Sequence, residues 1–272
     1  MSNPITEKSI HEALRSKTFG RWVTCFDTID STNRFAKHLA VQGKPEGTLV
    51  YAEQQTAGRG RWSRSWDSPR SHGLWFSLIL RPKKRCRSLT CLTLLGATSV
   101  ARALEQAAGL KVLVKWPNDI YVQGKKLAGI LTEVSQNQRD VLYAVMGIGV
   151  NVTQSETDFP IEIRERAISL SMVTHTGHDR LALLTDLLVQ LEDDYRRAET
   201  NGFDFVLNRW VSRSFILGKE VLIRLNSHLM KGVVRAFHSN GDIVLATEDG
   251  REHRLSDGEI VEVRDVVGCG CR

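Results

Sequence analysis

The stretch VLVKWPNDIYVQGKKLAGILTEV, residues 112–134, followed by VLYAVMGIGV at 141–150, decides what kind of fold this chain builds. Val112–Val114, Ile120–Val122, Lys126–Val134 and Val141–Val150 are β-rich runs, too short and too closely spaced for helices between them. Gln123-Gly124 is a two-residue turn signal between the second and third runs. Consecutive strands joined by hairpins predict a mixed or antiparallel sheet.

Working outward, Trp22–Thr28 alternates like a strand and leads into Asp30-Ser31-Thr32, a helix start, with the helix ending before Gly43. Thr48–Gln55 and Leu74–Leu80 read as further strands, and Thr90–Ala108 as a long helix with Leu94, Ala97, Ala101 and Leu104 on one face. Arg180–Arg197 and Phe203–Ser212 add two more helices. Helices packed on a mixed sheet give an α+β class. From Gly218 the texture changes to short alternating strands divided by Asn240-Gly241 and Asp249-Gly250, the pattern of a small β-barrel. The expected division is residues 1–214 and 215–272.

Of the 272 residues, 42% are hydrophobic and 25% charged, which is globular composition and excludes a disordered chain. No apolar run reaches the roughly 20 residues a membrane helix needs, and Met1–Lys17 lacks an apolar signal core. The expectation is a cytoplasmic protein without a membrane partner. Five cysteines with no framework spacing predict free thiols, and Cys269-x-Cys271 alone makes no metal site. A net charge of +6 favours anionic partners without choosing among nucleotide, nucleic acid and acidic protein. The basic run Arg81, Lys83, Lys84, Arg85 and Arg87 reads as a solvated loop.

Gly58-Arg59-Gly60-Arg61-Trp62-Ser63-Arg64-Ser65-Trp66 combines glycines, which let backbone N–H groups approach an anion, with three guanidinium groups. It reads either as a phosphate-binding loop or as a solvent loop. Because its cations have no local partners, it is expected to order only around an anion. Lys115 and Lys126 offer mobile point charges for a carboxylate or phosphate, and Gly129 in an apolar strand marks close approach of backbone or ligand. Trp116 reads equally as core. Asn151 closes a G-I-G-V-N run that no helix follows, so a dinucleotide site is excluded. Ser31-Thr32-Asn33 either caps its helix or holds a polar ligand group.

Taken together and in order, Ser31-Thr32-Asn33, Gln55 with G-R-G-R-x-x-R-x-W, K-W-P-N-D, G-K-K-L-A-G-I-L and G-I-G-V-N resemble the biotin–protein ligase family over residues 22–152. Residues 218–264 look like its small SH3-like C-terminal barrel. The resemblance implies a core like that of class II synthetases. It also implies an activity: ATP and biotin, with Mg2+, give biotinyl-5′-AMP, and biotin then passes to a lysine of a carboxylase's biotin carboxyl carrier domain. It implies that Lys126 bridges the biotin carboxylate and the α-phosphate, that Ser31, Thr32 and Gln55 hold the biotin head group, and that Asn33 belongs to the biotin/ATP-binding set. Gly58, Arg59, Arg61 and Arg64 would belong to a loop folding over the adenylate, with Arg61 catalytic. Asn151 would contact the ribose or phosphate side, Lys115 and Asn118 would bind biotin or ATP, Gly129 would approach biotin, and Trp66 and Trp116 would be walls. Asp119 would accept or orient the incoming amine.

No metal ligands can be assigned from the sequence. About twenty residues precede the first core strand, too few for the helix-turn-helix of repressor-type members, so specific DNA binding is not expected. Family members are often dimers, which leaves a homodimer open. Lipoate or octanoate ligation on a related fold is the nearest competing activity, and a nucleic-acid-binding module is the competing class.

Overall fold

The computed structural model describes residues 4–82, 89–136, 141–226 and 228–265. Lys83, Lys84, Arg85, Arg87, Cys86 and the Cys269/Cys271 pair of the sequence reading lie outside the described residues.

After α1 (Glu7–Ala13), β1 (Val23–Ile29) leads into α2 (Thr32–Val41) and β2 (Leu49–Gln55). A loop carrying the G-R-G-R run reaches β3 (Gly73–Leu80) and then α3 (Leu89–Ala108). Next come β4 (Leu113–Lys115), β5 (Asp119–Val122), β6 (Lys125–Gln136) and β7 (Val141–Asn151). They form a seven-stranded mixed sheet in the order β1-β2-β3-β7-β6-β5-β4, with only the β1–β2 pair parallel. Gln123 (φ 51°) and Gly124 (φ 77°) both take positive φ, the geometry of the tight turn expected between β5 and β6.

The sheet is covered on both faces. Ala36, Leu39 and Ala40 of α2 pack on Val50, Ile79 and Val145. The opposite face carries the larger core, built from α3 and α5 (Arg180–Asn201), with α6 (Asp204–Arg213) beside them; the short α4 (Leu170–Thr174) precedes α5. Central strand β3 is wholly buried, which accounts for a sequence that is apolar apart from Ser77 where a one-sided strand would alternate.

The C-terminal strands β8 (Glu220–Leu225), β9 (His228–Phe237), β10 (Ile243–Ala246), β11 (Glu252–Leu255) and β12 (Glu259–Arg264) pair antiparallel in the order β11-β10-β9-β8-β12. That is a five-stranded sheet, and pairing that closes β11 onto β12 is not part of it. Its junction with the first sheet is packed. Trp116, 2% exposed, donates its indole N–H to the Gly241 carbonyl at 3.1 Å. No described helix is long and apolar enough to cross a membrane.

Candidate functional site

A cleft of about 610 Å³ lies along β5, β6 and β7 and reaches Arg224, Glu259, Ile260 and Val261 of the C-terminal sheet. Every residue singled out from the sequence lines it except Gly58. Gly58 sits instead at the neck of the arginine loop, where the Trp66 N–H donates to its carbonyl at 2.9 Å.

At one end, the N-terminus of α2 meets the end of β2. Gln55 Oε1 accepts from the Thr32 backbone N–H (2.9 Å) and from the Thr32 hydroxyl (3.0 Å). Ser31 is the helix N-cap but makes no side-chain capping bond, so the local capping role left open by the sequence is not what engages its hydroxyl. Asn33 is committed at both ends of its amide: it accepts from Ser77 (2.6 Å) and donates to the Leu131 carbonyl (3.2 Å) and Glu133 (3.0 Å). Ser77, fully buried, also reaches the Thr32 hydroxyl at 2.8 Å. Glu133 collects Lys37 at 2.5 Å and Arg59 at 3.7 Å. Burial pushes its carboxyl up, but the Lys37 and Asn33 hydrogen bonds and the two cations outweigh that and hold it below the usual range.

Trp66 forms the floor. A Cβ on Gly149 would stand 2.5 Å from the indole, and one on Gly129 3.0 Å, so the glycines of G-I-G and K-L-A-G make room for this ring. Lys126 Nζ lies 5.1 Å from the Trp66 ring centroid and 2.7 Å from Asp119 Oδ1. A register shift in the β5–β6 ladder at Ile120/Tyr121 aims the two side chains at each other. Lys115 lies over the Tyr121 ring at 5.5 Å; burial depresses its pKa, and Asp119 works against that. Asn118 donates to the Ile130 carbonyl (2.9 Å). Asn151 donates to the Ile168 carbonyl (3.1 Å) and so pins the segment whose Arg166 carbonyl accepts from the Lys126 N–H (2.8 Å).

The three loop arginines are not free cations, and this corrects the expectation from sequence. Arg61 is paired with Asp257 and also reaches Asn118 (3.3 Å) and the Gly258 carbonyl (3.2 Å). Arg64 is paired with Glu259, which Arg224 also binds at 2.9 Å. Arg59 faces Glu133. Carboxylates far away in sequence, 196 residues for Arg61 and 195 for Arg64, supply partners that local sequence could not reveal. Trp62 (φ 58°) and Ser63 (φ 58°) take left-handed conformations to make the loop's turn.

Sequence reading missed Ser77, Glu133, Tyr121, Arg166, Arg224, Asp257 and Glu259. Arg166 lines the cleft from a turn-rich segment with no periodicity to mark it. Among the described residues no group of three or more His, Cys, Asp or Glu converges on a point.

The cleft therefore combines a small polar end, an aromatic floor and a ring of paired cations at the mouth, which suits an elongated ligand with a polar head and an anionic tail. The family model for the biotin/lipoate A/B protein ligase family matches residues 25–151. The bifunctional ligase/repressor BirA of Bacillus subtilis (strain 168) is 38% identical over 246 residues, covering 90% of this chain and 76% of its own. A biotin–[acetyl-CoA-carboxylase] ligase of Mycobacterium tuberculosis is 29% identical over 271 residues, covering 96% and 97%. Among solved structures, biotin protein ligase from Aquifex aeolicus in complex with biotin and ATP superposes with a TM-score of 0.76 at 31% identity, over 90% of this chain and all of that one. With the motifs in one cleft and that extent of likeness, the chain belongs to the biotin protein ligase family.

Proposed function

We propose that this chain is an ATP-dependent biotin protein ligase that forms biotinyl-5′-AMP and transfers biotin to a lysine of a carboxylase's biotin carboxyl carrier domain. The observation that carries the reading is the placement of Lys126 beside Asp119, over Trp66 and at the middle of the cleft. An ammonium there faces the point at which a carboxylate and an α-phosphate would have to approach each other. Their repulsion is greatest in the transition state, so a fixed cation there lowers the barrier more than it tightens ground-state binding.

In this reading Ser31, Thr32 and Gln55 take the head group, Trp66, Trp116 and Gly129 form walls, and Arg59, Arg61, Arg64 and Lys115 take phosphate. Asn118 and Asn151 hold the backbone on which Arg61 and Lys126 depend, and Asn33 fixes the start of α2. Asp119, released as Lys126 turns to the anions, is placed to accept a hydrogen bond from an incoming amine. Mg2+, when bound with the nucleotide, would supply charge neutralisation on the phosphates. The donor set suits a nucleotide-borne ion of this kind, which takes one or two carboxylates plus phosphate oxygens; Asp67, Asp119 and Glu259 are the carboxylates that line the cleft.

We read residues 1–214 as the catalytic unit, with a core like that of class II synthetases. We read 215–272 as a small SH3-like barrel whose Asp257 and Glu259 abut the arginine loop. The test is ATP–pyrophosphate exchange run separately with biotin and with lipoate. Exchange driven by biotin is expected; exchange with lipoate alone overturns the assignment.

A further inference from the structure

Ser68 lies between the head-group end of the cleft and the arginine loop and is 3% exposed. Its hydroxyl accepts from Gln55 Nε2 at 2.9 Å and donates to the Trp66 carbonyl at 3.2 Å. The backbone repeats the link, since the Gln55 N–H donates to the Ser68 carbonyl at 3.2 Å. Gly58 closes the junction: a Cβ there would stand 2.3 Å from the Trp66 oxygen and 2.9 Å from the Ser68 hydroxyl.

The consequence concerns which way the Gln55 amide faces. Its oxygen already takes two hydrogens from Thr32, and one hydrogen of its nitrogen goes to Ser68. An amide held by both ends cannot flip without losing three hydrogen bonds. Its second N–H has no acceptor among the described residues, and Gln55 lines the cleft. The head-group end therefore presents a donor whose direction is fixed.

We propose that Ser68 is a positioning residue for head-group selectivity: by anchoring the Gln55 amide, it makes the cleft prefer a ligand that offers a carbonyl acceptor at that point, as a cyclic urea does. This rests on the reading of the cleft as a biotin site. A protonated cyclic guanidine, which offers donors where the urea offers its oxygen, should be disfavoured, and Ser68 should carry part of that preference.

The test uses the full chain and biotin-driven ATP–pyrophosphate exchange, with 2-iminobiotin at neutral pH as a competitive inhibitor. In Ser68→Ala the biotin KM should rise roughly three- to tenfold, the range for one neutral hydrogen bond. The ratio of 2-iminobiotin Ki to biotin KM should fall by a similar factor, while the ATP KM and kcat stay within about twofold. Ser68→Thr, which keeps the hydroxyl, should restore the ratio. If Ser68→Ala does not fold, Ser68→Cys, with a weaker acceptor of similar volume, should move the ratio in the same direction. A ratio that stays at the wild-type value, or equal losses for biotin and ATP, would overturn the positioning role. Absence of biotin-driven exchange in the unaltered protein would instead overturn the biotin reading beneath it.

Discussion

Lys126 Nζ and Asp119 Oδ1 are 2.7 Å apart, on adjacent strands, in a cleft that otherwise carries an excess of positive charge. The pair gives the lysine a partner while the cleft holds no anion, and it gives the aspartate a reason to be freed when one arrives. Replacing either partner should therefore separate two steps. Lys126→Ala leaves a carboxylate facing the approaching anions and should lower pyrophosphate exchange on the order of a hundredfold or more. Asp119→Asn keeps the shape and should leave exchange within about tenfold, with the larger loss in transfer of biotin to the carrier lysine. Exchange and single-turnover transfer, measured side by side, check both. Equal losses of the two activities in Asp119→Asn would remove it from the transfer step.

Two glycines of one strand should respond differently to the same methyl group. At Gly149 the new Cβ would meet the Trp66 indole at 2.5 Å, and Trp66 is a side chain on a loop that can give way. Gly149→Ala should cost activity by displacing the cleft floor, roughly tenfold in exchange, with little change in Tm. At Gly147 the Cβ would stand 2.0 Å from Asn33 Oδ1, which accepts from the Ser77 hydroxyl in a buried amide whose Nδ2 donates to the Leu131 carbonyl and to Glu133. Gly147→Ala should cost stability on the order of 1–3 kcal/mol, because that network cannot shift cheaply. Thermal denaturation together with exchange distinguishes the two outcomes.

The contrast also marks how far the sequence could be read. The K-W-P-N-D and K-L-A-G-I-L runs announced their hairpin because turn residues and strand alternation are local properties, whereas the G-I-G run gave no sign of the side chains that approach its glycines. The approaching groups, Trp66 and Asn33, lie more than 80 residues away. Long-range partners were out of reach throughout. Arg61 read as an unpaired cation because Asp257 is 196 residues downstream, and Ser68 looked like any serine before a proline. Barrel-like texture was legible from residue 218 onward, whereas the strand order β11-β10-β9-β8-β12 is a matter of tertiary pairing.

Acid stability should depend on Glu53. Its carboxylate, 2% exposed, takes hydrogen bonds from the Ile5 N–H (2.7 Å), Tyr51 (3.1 Å), Ser71 (2.9 Å) and Arg180 (2.9 Å). Burial alone would raise its pKa; the Ile5 amide and Arg180 more than reverse this and leave it below the ordinary 4.5. A carboxyl with a depressed folded-state pKa contributes its full stabilisation above the unfolded value and loses it as the pH falls through the folded one. Tm should therefore decline as the pH drops below about 4.5, with Glu53 among the groups responsible. Glu53→Gln removes the carboxylate charge that faces the buried Arg180 guanidinium and should cost about 3–5 kcal/mol at neutral pH, with a flatter acid limb than the parent. Denaturant melts from pH 3 to 7 would show it; parallel acid limbs would exclude Glu53.

Arg61 and Asp257 should move nucleotide binding in opposite directions. The Arg61 guanidinium is shared between Asp257, Asn118 and the Gly258 carbonyl, so a phosphate must compete with these partners for it. Asp257 is 61% exposed, which keeps that competition weak. Asp257→Asn should lower the ATP KM by roughly 1.5- to 5-fold, the range of an exposed ion pair. Arg61→Gly removes a charge-assisted contact of about 1.5–3 kcal/mol to the phosphate and leaves Arg64–Glu259 as the loop's remaining ion pair with the C-terminal sheet. It also adds a third glycine beside Gly58 and Gly60, in a loop that must be ordered to close the site. Lys126 still forms the adenylate in this variant, but the mixed anhydride escapes before a carrier domain docks, and any free amine can attack it. Streptavidin blotting of a mixture of carrier domain and unrelated lysine-rich protein should show biotin on both. Labelling confined to the carrier, with activity merely reduced, would make Arg61 a contact for substrate and not the residue that retains the intermediate.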